Sequence, residues 1–268
     1  MRLAWVILPV VSATSLFALA TSVDLGTADS FAVLAGSTVT NTGATTVNGN
    51  LGVWPGTAVT GFPPGLVTNG TIHLGDAFAM QAQTDLAIAY TFSAGEPCGT
   101  TLTGQDLGGQ TLTPGVYCFA SSAQLTGPLT LDALGDPNAV FLIQIGSTLT
   151  TSSNSSVNII NGGTGDSVFF QVGSSATLGT DTAFAGNILA LTSITLNTGA
   201  TITCGRALAQ NGAVTLDTNI ISIDTLGCEA GASTSGVPEP ATMALSGLGL
   251  LGLGLLARRS KNLLHSDG

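Results

Sequence analysis

Residues 176–218 read ATLGTDTAFAGNILALTSITLNTGATITCGRALAQNGAVTLDT. The pattern T-L-x-T occurs three times in this stretch, at 177–180, 195–198 and 215–218, with spacings of 18 and 20 residues, and a further copy stands upstream at 148–151. A short apolar segment precedes each copy: Phe141-Leu142-Ile143, Val168-Phe169-Phe170, Ile188-Leu189-Ala190 and Ala207-Leu208-Ala209. Units of about 20 residues with several short strands each are typical of a parallel β-solenoid.

Stacked coils turn a repeated residue type into a column. Strands of neighbouring coils lie about 4.8 Å apart, so like residues stack on one another. We expect the leucine of each T-L-x-T copy to point inward and the flanking threonines to line an outer face. A β-sandwich would also give short strands, but it supplies no reason for the pattern to recur at coil spacing. The sequence therefore favours a mainly β fold built as a solenoid.

The N-terminal segment carries a related unit. The pentapeptide Asn-Thr-Gly-Ala-Thr occurs at 41–45 and again at 197–201. Similar apolar segments, Val33-Leu34-Ala35 and Ile188-Leu189-Ala190, precede the two copies. We expect the N-terminal segment to form one more coil, docked against the coils of the C-terminal half.

One helix is predicted, over about 76–93. Asp76 is a good N-cap residue, and Gly95-Glu96-Pro97 ends the segment. Apolar residues recur at helical spacing; they are Phe78, Ala82, Leu86, Ala89 and Tyr90. An apolar stripe of this size indicates a helix packed along one side of the solenoid.

The composition excludes several classes of function. Of 268 residues, 15 are acidic and 5 basic, so 7% are charged, against roughly 25% in an average domain. Residues 23–236 contain one basic residue, Arg206, and the chain has a net charge of -10. A nucleic-acid-binding protein needs a basic face, so neither nucleic acid nor a phosphate-rich ligand is expected as a partner.

No catalytic constellation is present in the sequence. A solenoid lyase or glycosidase needs paired or calcium-held carboxylates. The aspartates are scattered and occur mostly at predicted turns: Asp106, Asp132, Asp136, Asp166, Asp181, Asp217 and Asp224. We expect Arg206 to be a surface or stacking arginine and His73 to be a hydrogen-bonded structural histidine. We expect no enzyme activity and no cofactor.

Four cysteines, Cys98, Cys118, Cys204 and Cys228, suit an exported protein. Three pairings are possible. The local pairing, 98 with 118 and 204 with 228, closes two modest loops and is the one we expect. A metal site is not expected, because the chain has no CxxC motif and two histidines.

Both ends of the chain are predicted to be addressing segments. Residues 1–20 combine Arg2, an apolar run and a small-residue cleavage site, as a secretory signal peptide does. The working domain is expected at 21–230 and a small polar linker at 231–236. The remaining 237–268 carry Pro238-Glu239-Pro240, an apolar segment at 243–257 and a basic cluster of Arg258, Arg259 and Lys261.

The C-terminal segment resembles the PEP-CTERM sorting signal of Gram-negative bacteria, because Pro-Glu-Pro, a short apolar helix and a basic stop follow in that order. The resemblance implies transient anchoring in the inner membrane and removal of the tail by an exosortase-type enzyme. It further implies a protein that is extracellular or on the cell surface, with exopolysaccharide as a further partner.

The domain itself resembles the bacterial and fungal ice-binding proteins of the DUF3494 family over about residues 24–225. Five markers carry the resemblance, in order: Asp24-Leu25-Gly26 with Phe31-Ala32-Val33-Leu34-Ala35-Gly36, Gly49-Asn50-Leu51-Gly52-Val53, the helix from Asp76 to Tyr90, Gly115-Val116-Tyr117, and Gly186-Asn187-Ile188-Leu189-Ala190. The family implies a discontinuous right-handed parallel β-solenoid of triangular section with one long α-helix alongside. It also implies adsorption to ice.

The ice-binding motif of that family resembles T-(A/G)-x-(T/N). The segments 42–45 and 198–201 match it, whereas 180–183 has Asp181 in place of the small residue and Thr218-Asn219 is shorter. The expected ice-binding residues are Thr42, Thr45, Thr180, Thr182, Thr198, Thr201 and Thr218, with a second candidate column of Thr177, Thr195 and Thr215. The alternative function is a structural or adhesive matrix protein that uses the same solenoid to associate with exopolysaccharide.

Overall fold

A computed structural model describes residues 22–162 and 167–223 of the chain. Their strands form three parallel sheets of nine, seven and eight strands, which we name sheets A, B and C. Each full coil gives one strand to each sheet, so the solenoid is triangular in section. The predicted solenoid is confirmed, and the sandwich is excluded because all of the strand pairs are parallel.

The strands are numbered along the chain. Sheet A contains Phe31–Ala35 (β1), Asn50–Val53 (β4), Ile72–Leu74 (β7), Thr100–Thr101 (β8), Gly115–Phe119 (β10), Phe141–Ile145 (β13), Val168–Val172 (β16), Asn187–Ala190 (β19) and Ala207–Ala209 (β22). Sheet B contains Thr38–Thr42 (β2), Ala58–Thr60 (β5), Ala123–Leu125 (β11), Leu149–Thr151 (β14), Ala176–Leu178 (β17), Ile194–Leu196 (β20) and Val214–Asp217 (β23). Sheet C contains Thr46–Asn48 (β3), Leu66–Thr68 (β6), Thr111–Leu112 (β9), Pro128–Asp132 (β12), Ser156–Ile160 (β15), Ala183–Ala185 (β18), Thr201–Thr203 (β21) and Ile220–Ser222 (β24).

Columns of apolar side chains fill the interior of the solenoid. Leu178, Leu196 and Leu216, the leucines of three T-L-x-T copies, are all buried in sheet B, as predicted. In sheet A one inward column runs through five coils: Ile143, Phe170, Ile188, Ala207 and Val33. Each coil therefore buries its apolar residues against the coils on either side of it.

The coils do not follow one another in chain order. Strand β1 pairs with β22, and β2 and β3 pair with β23 and β24 in the same way. The coil of β1–β3 thus docks on the last coil of the C-terminal half, and the coil of β4–β6 docks on the coil of β1–β3. The expectation of a docked N-terminal coil is confirmed, and the solenoid is discontinuous.

The register corrects two alignments that the sequence motifs predict. Leu149 pairs with Ala176 rather than standing in line with Leu178, so the copy at 148–151 is offset by two residues. As a result Thr150, and not Thr148, is the neighbour of Thr177. The two pentapeptides, 41–45 and 197–201, are also out of register with each other. Thr201 pairs with Ile220 and Ile220 pairs with Thr46, so Thr46 rather than Thr45 lies in the column of Thr201.

The helix, α1, extends from Ala77 to Gly95 and lies on the outer face of sheet A. Its buried residues Ala82, Leu86 and Ala89 pack against outward-facing apolar residues of that sheet. These are Leu34, Val116, Leu142, Phe169, Leu189 and Leu208. The helix and its place are as predicted, but Phe78 is exposed and does not belong to the packed stripe.

Arg206 is buried, which corrects the expectation of a surface or stacking arginine. It is 3% exposed. Its Nη1 donates to Asn187 Oδ1 at 2.8 Å, and its Nη2 lies 2.8 Å from Asp29 Oδ1. Its Nε donates to the carbonyl oxygen of Asp29, also at 2.8 Å. The arginine thus fastens the N-terminal segment before β1 to the solenoid.

The disulfide Cys98–Cys118 is present, with Cα atoms 5.9 Å apart, and confirms half of the expected pairing. The other half involves Cys228, which lies outside the described residues, as do the signal peptide, the linker, Pro238-Glu239-Pro240 and the apolar segment 243–257. Within 22–162 and 167–223, no helix is long and apolar enough to cross a membrane.

A hydrogen-bonded group at the start of α1 fixes the helix N-terminus. Asp76 Oδ1 accepts from the backbone N–H of Ala79 at 2.8 Å, which confirms the N-cap. The ring of His73 contacts Asp76 Oδ2 through Nδ1 at 2.7 Å and Thr71 Oγ1 through Nε2 at 2.8 Å, so it is a hydrogen-bonded structural histidine. The Ala79 N–H and the His73 ring hold the pKa of the Asp76 carboxyl below its ordinary value of 3.8.

This pKa shift makes the cap sensitive to acid. A depressed folded-state pKa means that the carboxylate stabilises the fold above about pH 4 and ceases to do so as the pH falls through the folded pKa. Asp76→Asn keeps a capping acceptor that does not titrate. We expect its melting temperature to match the wild type at pH 7 and to fall less between pH 7 and pH 3.

Circular dichroism melts at the two pH values measure this difference. Asp76→Ala is the control, because loss of the cap should lower the melting temperature already at pH 7. Equal acid-induced drops in the wild type and Asp76→Asn would contradict the assignment.

Candidate functional site

Within 22–162 and 167–223, no segment covers two of the three outer faces. Helix α1 covers sheet A, so both faces of strands such as β1 and β19 are buried. The strands of sheets B and C alternate buried with exposed or half-buried residues, which shows one face in the core and one in solvent. Any extended contact with a flat ligand therefore uses sheet B or sheet C.

Sheet B carries one unbroken column of threonines. Backbone pairing joins Thr150 to Thr177, Thr177 to Thr195, Thr195 to Thr215, Thr215 to Thr40 and Thr40 to Thr60. We call these six residues the threonine ladder; Gln124 continues it at one end. At about 4.8 Å per strand, the six positions span about 24 Å.

The ladder points to solvent and leaves most of its hydroxyl groups available. Its residues are exposed or half-buried. Thr40 Oγ1 donates to Thr215 Oγ1 at 3.4 Å, a contact along the ladder itself. Among the described residues, the hydroxyls of the other four members engage no protein partner. The ladder therefore presents a row of methyl and hydroxyl groups at regular intervals.

Small residues flank the ladder and keep the face flat. The column two residues earlier consists of Thr148, Ser175, Ser193, Ala213, Thr38 and Ala58. The Ser175 and Ser193 hydroxyls accept from backbone N–H groups of the next coil at 3.3 and 3.2 Å. Asp217 is the one charged residue in the seven strands of sheet B, and its carboxylate accepts from Thr198 and Thr218.

Sheet C offers no comparable column. Its outward residues form two columns, and both change residue type from coil to coil. One column contains Pro128, Ser156, Ala183, Thr201, Ile220, Thr46 and Leu66, and the other contains Thr130, Asn158, Ala185, Thr203, Ser222, Asn48 and Thr68. Ile220 and Leu66 are large, apolar and exposed. A face with this mixture of sizes and chemistry lacks the regular spacing of the threonine ladder.

The structure divides the threonines that the sequence singled out. Thr177, Thr195 and Thr215, the second candidate column, all belong to the ladder. The first set is spread over other places: Thr42 at the end of β2, Thr180, Thr198 and Thr218 at the corner between sheets B and C, and Thr201 in sheet C.

Two members of the first set are wrong as ice-contacting residues, because they are buried. Thr45 is 1% exposed and its hydroxyl accepts from the backbone N–H of Asn219 at 3.0 Å. Thr182 is 0% exposed and shares a 2.8 Å hydrogen bond with the hydroxyl of Thr151. Both threonines satisfy polar groups inside the corner and cannot touch a surface outside the protein.

The small residue of the T-(A/G)-x-(T/N) motif has a structural reason. Gly43 and Gly199 have φ of +83° and +74° at the corner between sheets B and C. An added Cβ at Gly199 would lie 2.2 Å from Asp181 Oδ1, and one at Gly43 would lie 2.3 Å from Thr218 Oγ1. The glycine of one coil thus makes room for the side chain that the neighbouring coil carries at the same corner, Asp181 beside Gly199 and Thr218 beside Gly43.

Sequence reasoning missed Thr40, Thr60 and Thr150, which complete the ladder. The alternation in Thr38-Val39-Thr40 and in Ala58-Val59-Thr60 was a signal that each last threonine faces outward. The alignment with Thr215 could not be found in this way, because it depends on the docking of chain-distant coils.

Two family models match parts of this chain. Residues 33–222 match the ice-binding-like family, and residues 236–260 match the PEP-CTERM protein-sorting motif. An ice-binding protein of Nostoc sp. (strain HG1) is 61% identical over 231 residues, covering 85% of this chain and 84% of the relative.

Two solved structures are similar over most of the chain. An ice-binding protein from an Antarctic biological consortium has 47% identity and a TM-score of 0.73, covering 81% of this chain and 96% of that one. An ice-binding protein from the Antarctic ascomycete Antarctomyces psychrotrophicus has 43% identity and a TM-score of 0.74, covering 76% of this chain and 99% of that one.

The close approach of Asp181 to Gly199 at the corner predicts that substitutions at these two positions have coupled effects on stability. Gly199→Ala should destabilise the protein by about 1 kcal/mol more than Gly104→Ala. Gly104 is the matched control, since its φ is +82° but nothing lies within 4 Å of the added Cβ. Combining Gly199→Ala with Asp181→Gly should recover the excess. Urea denaturation measures the free energy of unfolding of all the variants. Strict additivity of the effects of Gly199→Ala and Asp181→Gly on that free energy would show that the two positions are not coupled.

Proposed function

Because the chain belongs to the ice-binding-like family, we propose that it adsorbs to ice through the threonine ladder of sheet B. The observation that carries the proposal is the unbroken register from Thr150 to Thr60 on a sheet face that no described residue covers. In this role the protein would inhibit ice growth and recrystallisation around the cell that exports it.

The ladder has the chemistry that contact with ordered water requires. Threonine places a methyl and a hydroxyl on one side chain and is stiff at χ1 in a strand. The hydroxyls repeat at about 4.8 Å between coils and about 6.7 Å along a strand. A rigid grid of this kind is similar to the oxygen repeats in ice. Charged side chains would instead bind water in disordered hydration shells.

We further propose that the protein is not an enzyme. Within the described ranges no group of three or more His, Cys, Asp or Glu side chains could hold a metal ion. The His73–Asp76 contact serves the N-terminus of α1, and the Arg206 guanidinium is held by Asp29 and Asn187. The relatives described above bear the name of ice-binding proteins.

The PEP-CTERM motif indicates export to the cell surface or exterior. We propose a signal peptide at 1–20, the ice-binding domain at 21–230, a linker at 231–236 and a sorting segment at 237–268. In this arrangement the segment 243–257 anchors the protein transiently in the inner membrane of a Gram-negative cell, and an exosortase-type enzyme removes the tail. Whether the processed domain is released or stays attached to the cell determines where it meets ice.

Substitutions that raise the ladder surface test the binding face. We expect Thr195→Tyr and Thr177→Tyr each to reduce thermal hysteresis by more than half, because a protruding ring separates the neighbouring threonines from the ice. Nanolitre osmometry measures the hysteresis, and a recrystallisation assay gives an independent readout.

Thr203→Tyr is the matched control, since Thr203 is exposed on sheet C. It should leave both activities unchanged. Thr42→Tyr and Thr198→Tyr, at the end of β2 and at the corner, should have smaller effects than Thr195→Tyr. Loss of activity in Thr203→Tyr with full activity in Thr195→Tyr would place the binding face on sheet C.

Ice-affinity partitioning separates ice binding from a purely structural matrix role. The wild-type protein should be enriched in a slowly growing ice hemisphere, whereas the Thr177→Tyr/Thr195→Tyr double variant should be excluded from it. A wild-type protein that is excluded from ice and shows no thermal hysteresis at high concentration would refute ice binding and favour the structural matrix alternative.

A further inference from the structure

Asp217 places a negative charge on the sheet face that carries the threonine ladder. It is the last residue of β23 and follows the ladder member Thr215 by two positions, so its side chain points to the same face about 6.7 Å further along the strand. Backbone pairing puts it beside Thr42 of the next coil. Asp217 is half-buried, whereas Thr215 and Thr42 are exposed. The other six strands of sheet B in the described part of the chain contain no charged residue.

The carboxylate interrupts a third column of residues on sheet B. The first column consists of the small residues two positions before the ladder, the second is the ladder itself, and the third follows the ladder by two positions. In four successive coils the third column contains Gly179, Asn197, Asp217 and Thr42. Beyond it lie the exposed corner threonines Thr198 and Thr218. Without the charge, the neutral surface of sheet B would continue from the ladder to the corner.

Neighbouring groups hold the Asp217 carboxylate in place. Its Oδ2 accepts a short hydrogen bond from Thr198 Oγ1, and its Oδ1 accepts from Thr218 Oγ1 at 3.1 Å. The backbone N–H of Asp217 donates at 2.6 Å to Oδ1 of Asn219, which is fully buried. Hydrogen bonds to an ionised group are stronger than those between neutral groups. The charge is therefore fixed at this position on the face.

These bonds determine what the corner threonines offer to water. A hydroxyl has one proton to donate, and Thr198 and Thr218 both direct theirs to Asp217. Toward solvent they present lone pairs only, beside a negative charge, so the adjacent water molecules turn their hydrogens toward the protein. Water in ice must both donate and accept. Among the described residues the ladder hydroxyls of Thr177 and Thr195 engage no protein partner, so they can do either.

We propose that Asp217 sets the edge of the ice-contacting plane. Its charge confines ice contact to the ladder and the column before it, and it keeps the water at the corner threonines Thr198 and Thr218 in a liquid hydration shell. This role rests on the proposed adsorption through the ladder and names the residue that limits how much of sheet B takes part. Removing the charge should therefore enlarge the plane rather than damage it.

Substitution of Asp217 tests this boundary through a gain of activity. Asp217→Asn keeps the size of the side chain and one acceptor oxygen but removes the charge. Asp217→Thr places a further methyl and hydroxyl beside Thr42, on a residue type that suits a strand. A third column added to two enlarges the contact plane by about half, so both variants should raise thermal hysteresis about 1.5-fold at equal protein concentration. Nanolitre osmometry measures the hysteresis, and a recrystallisation assay provides a second readout.

Asp181→Asn is the matched control. Asp181 is exposed at the same corner but belongs to no strand of sheet B, so the variant removes an equal charge without changing the plane. Its hysteresis should equal that of the wild type. Circular dichroism melts measure the effect on folding. Asp217→Asn should not exceed the wild-type melting temperature, because it gives up two hydrogen bonds to a carboxylate. Higher hysteresis without higher stability separates the proposed role from a merely structural one.

A second substitution shows whether the plane has extended outward. In the wild type Thr42 lies beyond the boundary, so Thr42→Tyr should reduce hysteresis only slightly. In the Asp217→Asn background Thr42 lies within the enlarged plane, so Thr42→Tyr should remove the gain. Thr195→Tyr, in the ladder itself, should reduce hysteresis by more than half in both backgrounds.

Three results would overturn the role of Asp217. They are unchanged or lower hysteresis in both Asp217 variants at a temperature where circular dichroism shows them folded, an equal rise in Asp181→Asn, and an equal fractional loss from Thr42→Tyr in the two backgrounds. Thr195→Tyr judges the ladder separately. If Thr195→Tyr loses activity and Asp217→Asn gains none, only the boundary is wrong, whereas full activity in Thr195→Tyr refutes adsorption through the ladder.

Discussion

Parallel backbone hydrogen bonds between neighbouring coils set the position of every side chain in the solenoid. In such a stack a residue is held directly over its partner in the next coil, so one outward threonine per coil becomes a straight row. The rule extends to the docked N-terminal coils, where Thr40 lies beside Thr215 although 175 residues separate them. The same pairing stacks the corner turns of neighbouring coils, so that Gly199 leaves space for the side chain of Asp181. Flatness and regular spacing on sheet B both follow from this pairing.

The covering of sheet A decides which surface remains for a ligand. The outward residues of that sheet, such as Leu34, Leu189 and Leu208, are as apolar as its inward ones, and α1 buries them. The Arg206 guanidinium, buried beside Asn187 of sheet A, donates to the carbonyl oxygen of Asp29 and so holds the N-terminal segment against the solenoid. A helix that covers one face leaves the two remaining sheets to solvent in the part of the chain that the structure describes, and of these two sheets only sheet B repeats one outward residue type from coil to coil.

Coil spacing, inward leucines, the helix and the docked N-terminal coil were all readable from the sequence, because each depends on local periodicity or on internal repetition. The full ladder was not, because its register depends on hydrogen bonds between segments far apart in the chain. Motif matching pointed to Thr45 and Thr182, which lie inside the corner. The same limit applies to Arg206: its burial depends on Asp29, a residue 177 positions away that local sequence does not associate with it.

The scarcity of charge has a direct consequence for the surface of the threonine ladder. On the ladder, neutral hydroxyls leave the adjacent water free to order, because no ion holds it in a hydration shell.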